Sequence, residues 1–128
     1  MTNLLFLMVK PWSLHHAGDV LIEFDKAGKR LREAYIEKMP LEFIAKHYED
    51  HKDRHYFNPM ILDHQDKSSL IAVYRGSLDN MLAIKEKIRK RFSYDISPHP
   101  DYKRDAIHTS RNDFEFVNEL IIWGSYLR

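Results

Sequence analysis

The sequence predicts an α/β sandwich forming a single domain over residues 1–128, and three observations predict it. Two continuous apolar runs, residues 4–9 and 70–74, read as central strands, because an edge strand would alternate polar and apolar positions. Apolar residues at helical spacing fill the intervals between strands. The length of 128 residues, 44% of them hydrophobic, supplies one sizeable core and leaves little room for a second.

The elements follow in order. Leu4 to Val9 is a strand stopped by Lys10-Pro11, and residues 11–17 read as a loop. Gly18-Asp19 starts a helix with Val20, Leu21, Phe24 and Ala27 on its inner side, and Gly28 ends it. Residues 31–39, with Leu31, Ala34 and Ile36 among charges, suggest a half-exposed strand. Pro40 opens a helix carrying Leu41, Phe43, Ile44 and Tyr48 inward. Residues 50–57, dense in His and charge, read as a surface turn or frayed helix end, with a short amphipathic piece over 59–64.

The second apolar strand, 69–74, ends at Arg75-Gly76, and residues 78–92 form a helix with Leu78, Met81, Leu82, Lys85 and Ile88 along one side. Residues 93–103, carrying Pro98 and Pro100, form a loop, and 105–108 a short strand. Asn112 or Asp113 caps a last helix whose apolar content is Phe116, Leu120, Ile121 and Trp123. The order β-α-β-α-β-α-β-α favours a ferredoxin-like sandwich, a four-stranded antiparallel sheet with helices packed on it. A doubly wound parallel fold competes, since periodicity alone does not separate the two.

Composition narrows the function. Twenty Lys+Arg against nineteen Asp+Glu leave a formal charge of +1, so no global field selects for nucleic acid or membrane. No stretch approaches the roughly 18 apolar residues of a spanning helix. The apolar start is too short for a signal peptide. Zero cysteines exclude disulfides, Cys-ligated metal and thiol catalysis, and fit a reducing cytoplasm.

Four features bear on chemistry. His108 ends a short strand just before a helix start, where an imidazole serves as a nucleophile beside amides that receive phosphate; the alternative is a surface histidine in a turn. Lys10 follows a buried strand, either beside a ligand or as a solvated stop. Lys85, Lys87, Arg89, Lys90 and Arg91 complement a helix dipole or contact phosphates, but no aromatic RNA-binding strand accompanies them, which argues against nucleic acid as a partner. His47, His51 and His55, each four apart and interleaved with Glu49, Asp50 and Asp53, form a metal-binding stripe if one helix carries them and otherwise a solvated turn.

In order and spacing these pieces resemble the nucleoside diphosphate kinase family. The resemblance rests on Phe6-Leu7-Met8-Val9-Lys10-Pro11, on Gly18-Asp19, and on the run from His47-Tyr48 through Lys52-Asp53-Arg54-His55-Tyr56-Phe57. It continues through the strand before Gly76 to Asp105-Ala106-Ile107-His108-Thr109-Ser110-Arg111, with Glu119 following the histidine. It covers nearly the whole chain. It implies the ferredoxin-like fold and ping-pong transfer of a γ-phosphate from a nucleoside triphosphate to a nucleoside diphosphate, with Mg²⁺ on the phosphates. His108 is then the nucleophile, and Glu119 fixes its tautomer. The Tyr48 hydroxyl touches the histidine or the transferring phosphate, and Lys10 holds phosphates and sugar. Tyr56 stacks on the base, Tyr102 presses its other face, and Arg89 binds phosphate.

The chain departs from the family pattern in places that set further expectations. Asp105 replaces an asparagine that contacts the sugar, Thr109 and Arg111 replace a glycine and an aspartate, and Trp12-Ser13 replace Asp-Gly. The stretch before His108 is shortened and loses a phosphate-binding arginine, whose charge Arg104 or Lys103 replaces; Asp95 falls near a family threonine that binds phosphate. The shortening also removes part of a trimer contact, which implies a dimer or monomer before a hexamer. An alternative function is a nucleotide-binding module of the same fold with little or no kinase activity.

Overall fold

The structure is a computed structural model that describes residues 2–94 and 97–128. Four strands form one sheet in the order β2-β3-β1-β4, with β1 at Asn3–Val9, β2 at Gly28–Ile36, β3 at Ser69–Gly76 and β4 at Ile107–Thr109. All three pairings are antiparallel, which excludes the doubly wound parallel alternative and leaves the ferredoxin-like sandwich. Among the described residues five α-helices complete it: α1 at Ala17–Ala27, α2 at Leu41–His47, α3 at Phe57–His64, α4 at Leu78–Arg91 and α5 at Asp113–Trp123.

Helices cover both faces of this sheet. Leu5, Leu7 and Val9 of β1 pack with Val20 and Phe24 of α1 and Met81 and Ile88 of α4. Their neighbours Phe6 and Met8 pack on the opposite face with Ile44 of α2, Ile61 of α3, and Phe116 and Trp123 of α5. Alternate side chains thus enter two different cores, so β1 is apolar and buried at every position from Leu5 to Val9. The strand read as half-exposed, β2, lies at the sheet edge.

Several boundaries differ from the sequence reading for local reasons. Residues 11–16 form a 3₁₀ turn rather than a loop, begun by Pro11 at its first position. The β2 strand begins three residues earlier than expected, at Gly28, because α1 stops directly into it. The piece expected over 59–64 is a full helix from Phe57, so the element order gains one helix between α2 and β3. The strand expected over 105–108 pairs over 107–109 instead, extended by Ser110, whose hydroxyl accepts from Phe6 N–H at 2.8 Å. In α5, capped by Asn112, Leu120 and Ile121 are exposed while Phe116 and Trp123 are buried.

Gly28 and Gly76 are cross-strand partners. A Cβ on Gly76 would lie 2.7 Å from Ala27 O and 2.9 Å from Gly28 Cα, so backbone rather than a flexible side chain must give way. Gly76→Ala is expected to destabilise the fold by about 1–3 kcal/mol, read as a lower midpoint in urea at unchanged slope.

Candidate active site

The β4 strand sets His108 beside Met8 of β1, and α5 brings Glu119 against it. His108 Nε2 and Glu119 Oε2 are 2.5 Å apart. Nδ1 of His108 has no hydrogen-bond partner among the described residues, so it is the nitrogen left for chemistry. Burial, with His47 and Lys10 nearby, holds the imidazole well below its ordinary value. Burial, with Glu115 adding to it, pushes the Glu119 carboxyl up to about 8.

Lys10 emerges from β1 almost fully buried. Its backbone N–H donates to Ala106 O at 3.1 Å, which ties it to the segment leading into β4. Burial, reinforced by Arg89, lowers its ammonium to about 7. Its Nζ lies 4.5 Å from the centre of the Tyr48 ring and 3.1 Å from His64 Nε2. The Tyr48 hydroxyl faces that same nitrogen at 3.1 Å. His64 donates from Nδ1 to Met60 O at 2.7 Å, so its Nε2 accepts from both. The Tyr48 hydroxyl is therefore directed at His64 rather than at His108.

Arg89, from the last turn of α4, donates to Ile107 O at 3.1 and 3.3 Å. Asp105 lies 3.7 Å from it. The acid in place of the sugar-binding asparagine is thus charge-paired, with its backbone carbonyl held by Trp12 Nε1 at 2.8 Å.

A cavity of about 310 Å³ is lined by Lys10, Tyr48, Tyr56, Arg89, Tyr102 and His108, among others. Tyr56 and Tyr102 face each other nearly parallel, 12° apart in plane and 6.4 Å between centres. Tyr102 is buried and donates its hydroxyl to Asp63 at 3.2 Å. Lys103 also lines this cavity. Arg104 turns away to pair with Asp63, at 2.5 and 2.9 Å. Asp95 lies outside the described residues.

His108 also lines a larger cavity, of about 770 Å³, with His47, Lys85, Arg89, Arg111 and Glu119. Two of its residues, His47 and Lys85, carry a part in this site that the sequence reading does not assign to them. His47 accepts at Nδ1 from Trp123 Nε1 at 3.0 Å, its ring 4.5 Å from that of His108, and its Nε2 is buried without a partner. Burial, with Lys10 next, lowers it to about 3. Lys85 is buried on the apolar side of α4, and burial with Arg89 lowers it to about 8. The signal for Lys85 was a charge standing on an apolar helix face; for His47 and His64 there was none beyond their helices.

The histidine stripe and the basic run both dissolve. His47 ends α2, His51 lies in a 3₁₀ turn and His55 in the turn beyond, so no single helix carries all three. Lys87 pairs with Glu23 at 3.0 Å, Arg91 lies 4.0 Å from Asp19, and Arg89 lies 3.7 Å from Asp105. No continuous basic face results.

Fold and site together define a ferredoxin-like domain with a carboxylate-held histidine among buried cations. The nucleoside diphosphate kinase family profile matches residues 4–125, and the chain belongs to that family. A nucleoside diphosphate kinase of Clostridium perfringens is 23% identical over 123 residues, covering 85% of this chain and 86% of that protein. The crystal structure of the Aquifex aeolicus nucleoside diphosphate kinase superposes over the full length of both chains, with a TM-score of 0.78 and 16% identity. A nucleoside diphosphate kinase from Borrelia burgdorferi, solved as a transition-state mimic with bound vanadate and ADP, matches at 0.70 and 20%, over 99% of this chain and 90% of that one. No helix among the described residues is long and apolar enough to cross a membrane.

Proposed function

We propose that this chain is a nucleoside diphosphate kinase-like phosphotransferase working through a phosphohistidine on His108. The observation that carries the reading is the 2.5 Å contact of Nε2 with Glu119, which leaves Nδ1 unpartnered beside Lys10 and Arg89. Nδ1 attacks the γ-phosphorus of a nucleoside triphosphate; a P–N bond forms, and the bond to the β–γ bridging oxygen breaks. The nucleoside diphosphate leaves with that electron pair. A terminal phosphate oxygen of a second diphosphate then attacks the phosphohistidine and restores the imidazole. As Nδ1 becomes bonded the ring gains positive charge, which the Glu119 carboxylate offsets. Positioning and cationic stabilisation are most of what such a transfer needs.

Lys10 and Arg89 contact the polyphosphate, and Tyr56 stacks on the base, with Tyr102 behind it. Lys85 approaches from the larger cavity and supplies positive charge where the family uses the loop arginine, since Arg104 is committed to Asp63. Mg²⁺ takes one or two carboxylates beside phosphates and keeps several waters. Asp105, a carboxylate lining the small cavity, fits that habit and would help to hold the ion. When bound, Mg²⁺ supplies charge neutralisation along the phosphates.

The commitment of Arg89 to Ile107 O and of Arg104 to Asp63 favours a second reading, a module that binds nucleotides without efficient transfer. One experiment separates them. The chain is incubated with γ-labelled ATP and Mg²⁺, and the protein is examined for acid-labile, base-stable label that a nucleoside diphosphate removes. Label supports the transferase; ADP binding without label supports the module. The shortened stretch before His108 further favours a dimer or monomer over a hexamer, which sedimentation tests.

The His108–Glu119 pair sets a pH dependence. Above about 8 the carboxylate is ionised and accepts a hydrogen bond from Nε2–H, leaving the lone pair on Nδ1. Below it the proton resides on Glu119, which donates to Nε2, and the ring proton moves to Nδ1 and blocks attack. The rate of label uptake is therefore expected to rise with pH through this range. A flat or falling profile in single-turnover labelling contradicts the assignment.

A further inference from the structure

At the rim of the small cavity, outside the residues assigned to transfer, His55, His99 and Asp101 converge. They come from two separate stretches, the turn leading into α3 and the loop before β4. One ligand atom from each lies within 4.8 Å of the others. His55 Nε2 is 2.6 Å from Asp101 Oδ2, and the two imidazole centres are 5.1 Å apart. We propose that His55, His99 and Asp101 form a binding site for a borderline divalent cation of the Zn²⁺, Co²⁺ or Ni²⁺ class, which fastens the loop before β4 to the turn before α3.

The donor set decides the class. Two imidazoles and one carboxylate suit borderline metals, whereas Mg²⁺ and Ca²⁺ take oxygen. The site is therefore chemically distinct from any Mg²⁺ carried by a nucleotide. Tetrahedral coordination at roughly 2.0–2.1 Å places ligand atoms about 3.4 Å apart. The widest pair must close by little more than 1 Å, which side-chain rotation on an exposed surface supplies. Three protein ligands leave a fourth position for water or an incoming anion.

The metal-free contacts offer little resistance. The His55–Asp101 pair is exposed on both sides, and such pairs contribute little to stability. His99 accepts the Asp101 backbone N–H at Nδ1, 3.1 Å away. Coordination through either ring nitrogen gives up that hydrogen bond, because the other nitrogen must then carry the proton. One backbone hydrogen bond to an exposed group is exchanged for a coordinate bond. Tyr56 adjoins His55 in sequence, and its ring lies 6.2 Å from that of His99. A bound ion would consequently hold Tyr56 in place opposite the buried Tyr102.

The test is calorimetric titration of the tag-free, nucleotide-free chain with Zn²⁺, alongside the visible absorption of the Co²⁺ complex. Wild type is expected to take up an equivalent that His55→Ala and His99→Ala each weaken at least about tenfold, a loss that even outer-shell changes produce at metal sites. The doubly substituted protein should lose that equivalent. His108→Ala should keep it, which separates this site from the nearby grouping of His47, His108 and Glu119. All three substituted positions are polar and at least partly exposed, so folding, checked by circular dichroism, should persist. Zn²⁺ is also expected to slow tryptic cleavage after exposed Lys103 in wild type and not in the double variant. Equal Zn²⁺ uptake by wild type and the double variant overturns the proposal. So does uptake abolished by His108→Ala alone, or no uptake at all. None of these outcomes depends on phosphotransfer.

Discussion

His108→Ala is expected to abolish the acid-labile label and to lower transfer from a nucleoside triphosphate to a diphosphate by at least about 10⁴-fold, the scale on which loss of a nucleophile is felt. The reasoning is local. Among the described residues, Nδ1 of His108 is the one imidazole nitrogen in the small cavity with a carboxylate fixing its partner nitrogen. His64 cannot take over, because Nδ1 is bonded to Met60 O and Nε2 faces Lys10 and Tyr48. His47 cannot either, because Nδ1 is engaged by Trp123. The alanine leaves a small void beside Phe6 and His47 and no unpaired charge, provided Glu119 takes a proton, which its raised value favours. The variant should therefore remain folded and bind ADP within a few-fold of wild type. Retained label of the same acid lability would transfer the chemistry to another residue and end the His108 assignment.

The strands and the helices along the chain are readable from the sequence to the extent that each residue answers to one neighbour. Leu4 to Val9 announced a strand but not its direction of pairing. A strand covered by helices on both faces carries no alternation, whether its neighbours run parallel or antiparallel. The antiparallel answer depends on contacts between β1, β3 and β4, residues remote in sequence. The helix α3 was half-seen because its first turn, Phe57 and Asn58, follows a charged turn without a capping side chain. Hydrophobicity alone counts Leu120 and Ile121 together with Phe116 and Trp123 as the apolar content of α5. The positions of Leu120 and Ile121 on α5 face outward, where only the direction of Phe116 and Trp123 fixes the inner side.

The site followed the same rule. Lys10, His108 and Glu119 lie together because β1, β4 and α5 are adjacent, an arrangement implied once the order of motifs matched a known family. Arg104 was expected to supply phosphate-binding charge, and nothing in its neighbourhood along the chain suggests otherwise. Its partner, Asp63, lies 41 residues away on α3. Asp105 stands where the family has a sugar-contacting asparagine, and nothing along the chain reveals its pairing with Arg89 on α4. Lys85 and His64 gain their meaning only from burial against remote elements. Pairings across the fold are what a one-dimensional pattern omits.

The Asp63–Arg104 pair is expected to be the most sensitive ionic contact of the fold. Asp63 is buried with its side chain 3% exposed, while Arg104 retains 23%. Two guanidinium nitrogens reach its two oxygens, and Tyr102 donates a further bond. Removing one partner of a buried pair leaves an uncompensated charge and costs about 3–5 kcal/mol. Because Arg104 is partly solvated and Lys67 and Tyr102 remain, Arg104→Met should lie near the lower end, about 3 kcal/mol, or a fall of about 10 °C in Tm. The pH dependence gives the sign. Burial alone would raise the Asp63 carboxyl, but Arg104 and Lys67 hold it below its ordinary 3.8. In wild type its contribution is present above that value and is lost as pH falls through the lower folded one. Without Arg104, burial prevails, the folded value rises above the unfolded one, and protonation of Asp63 restores stability as pH falls. The difference in Tm between the two proteins should therefore narrow between pH 7 and pH 4, and Asp63→Asn placed on Arg104→Met should recover part of the loss at pH 7. Equal melting temperatures at neutral pH, or a gap unchanged on acidification, would mean that the carboxylate is stabilised by something other than this arginine.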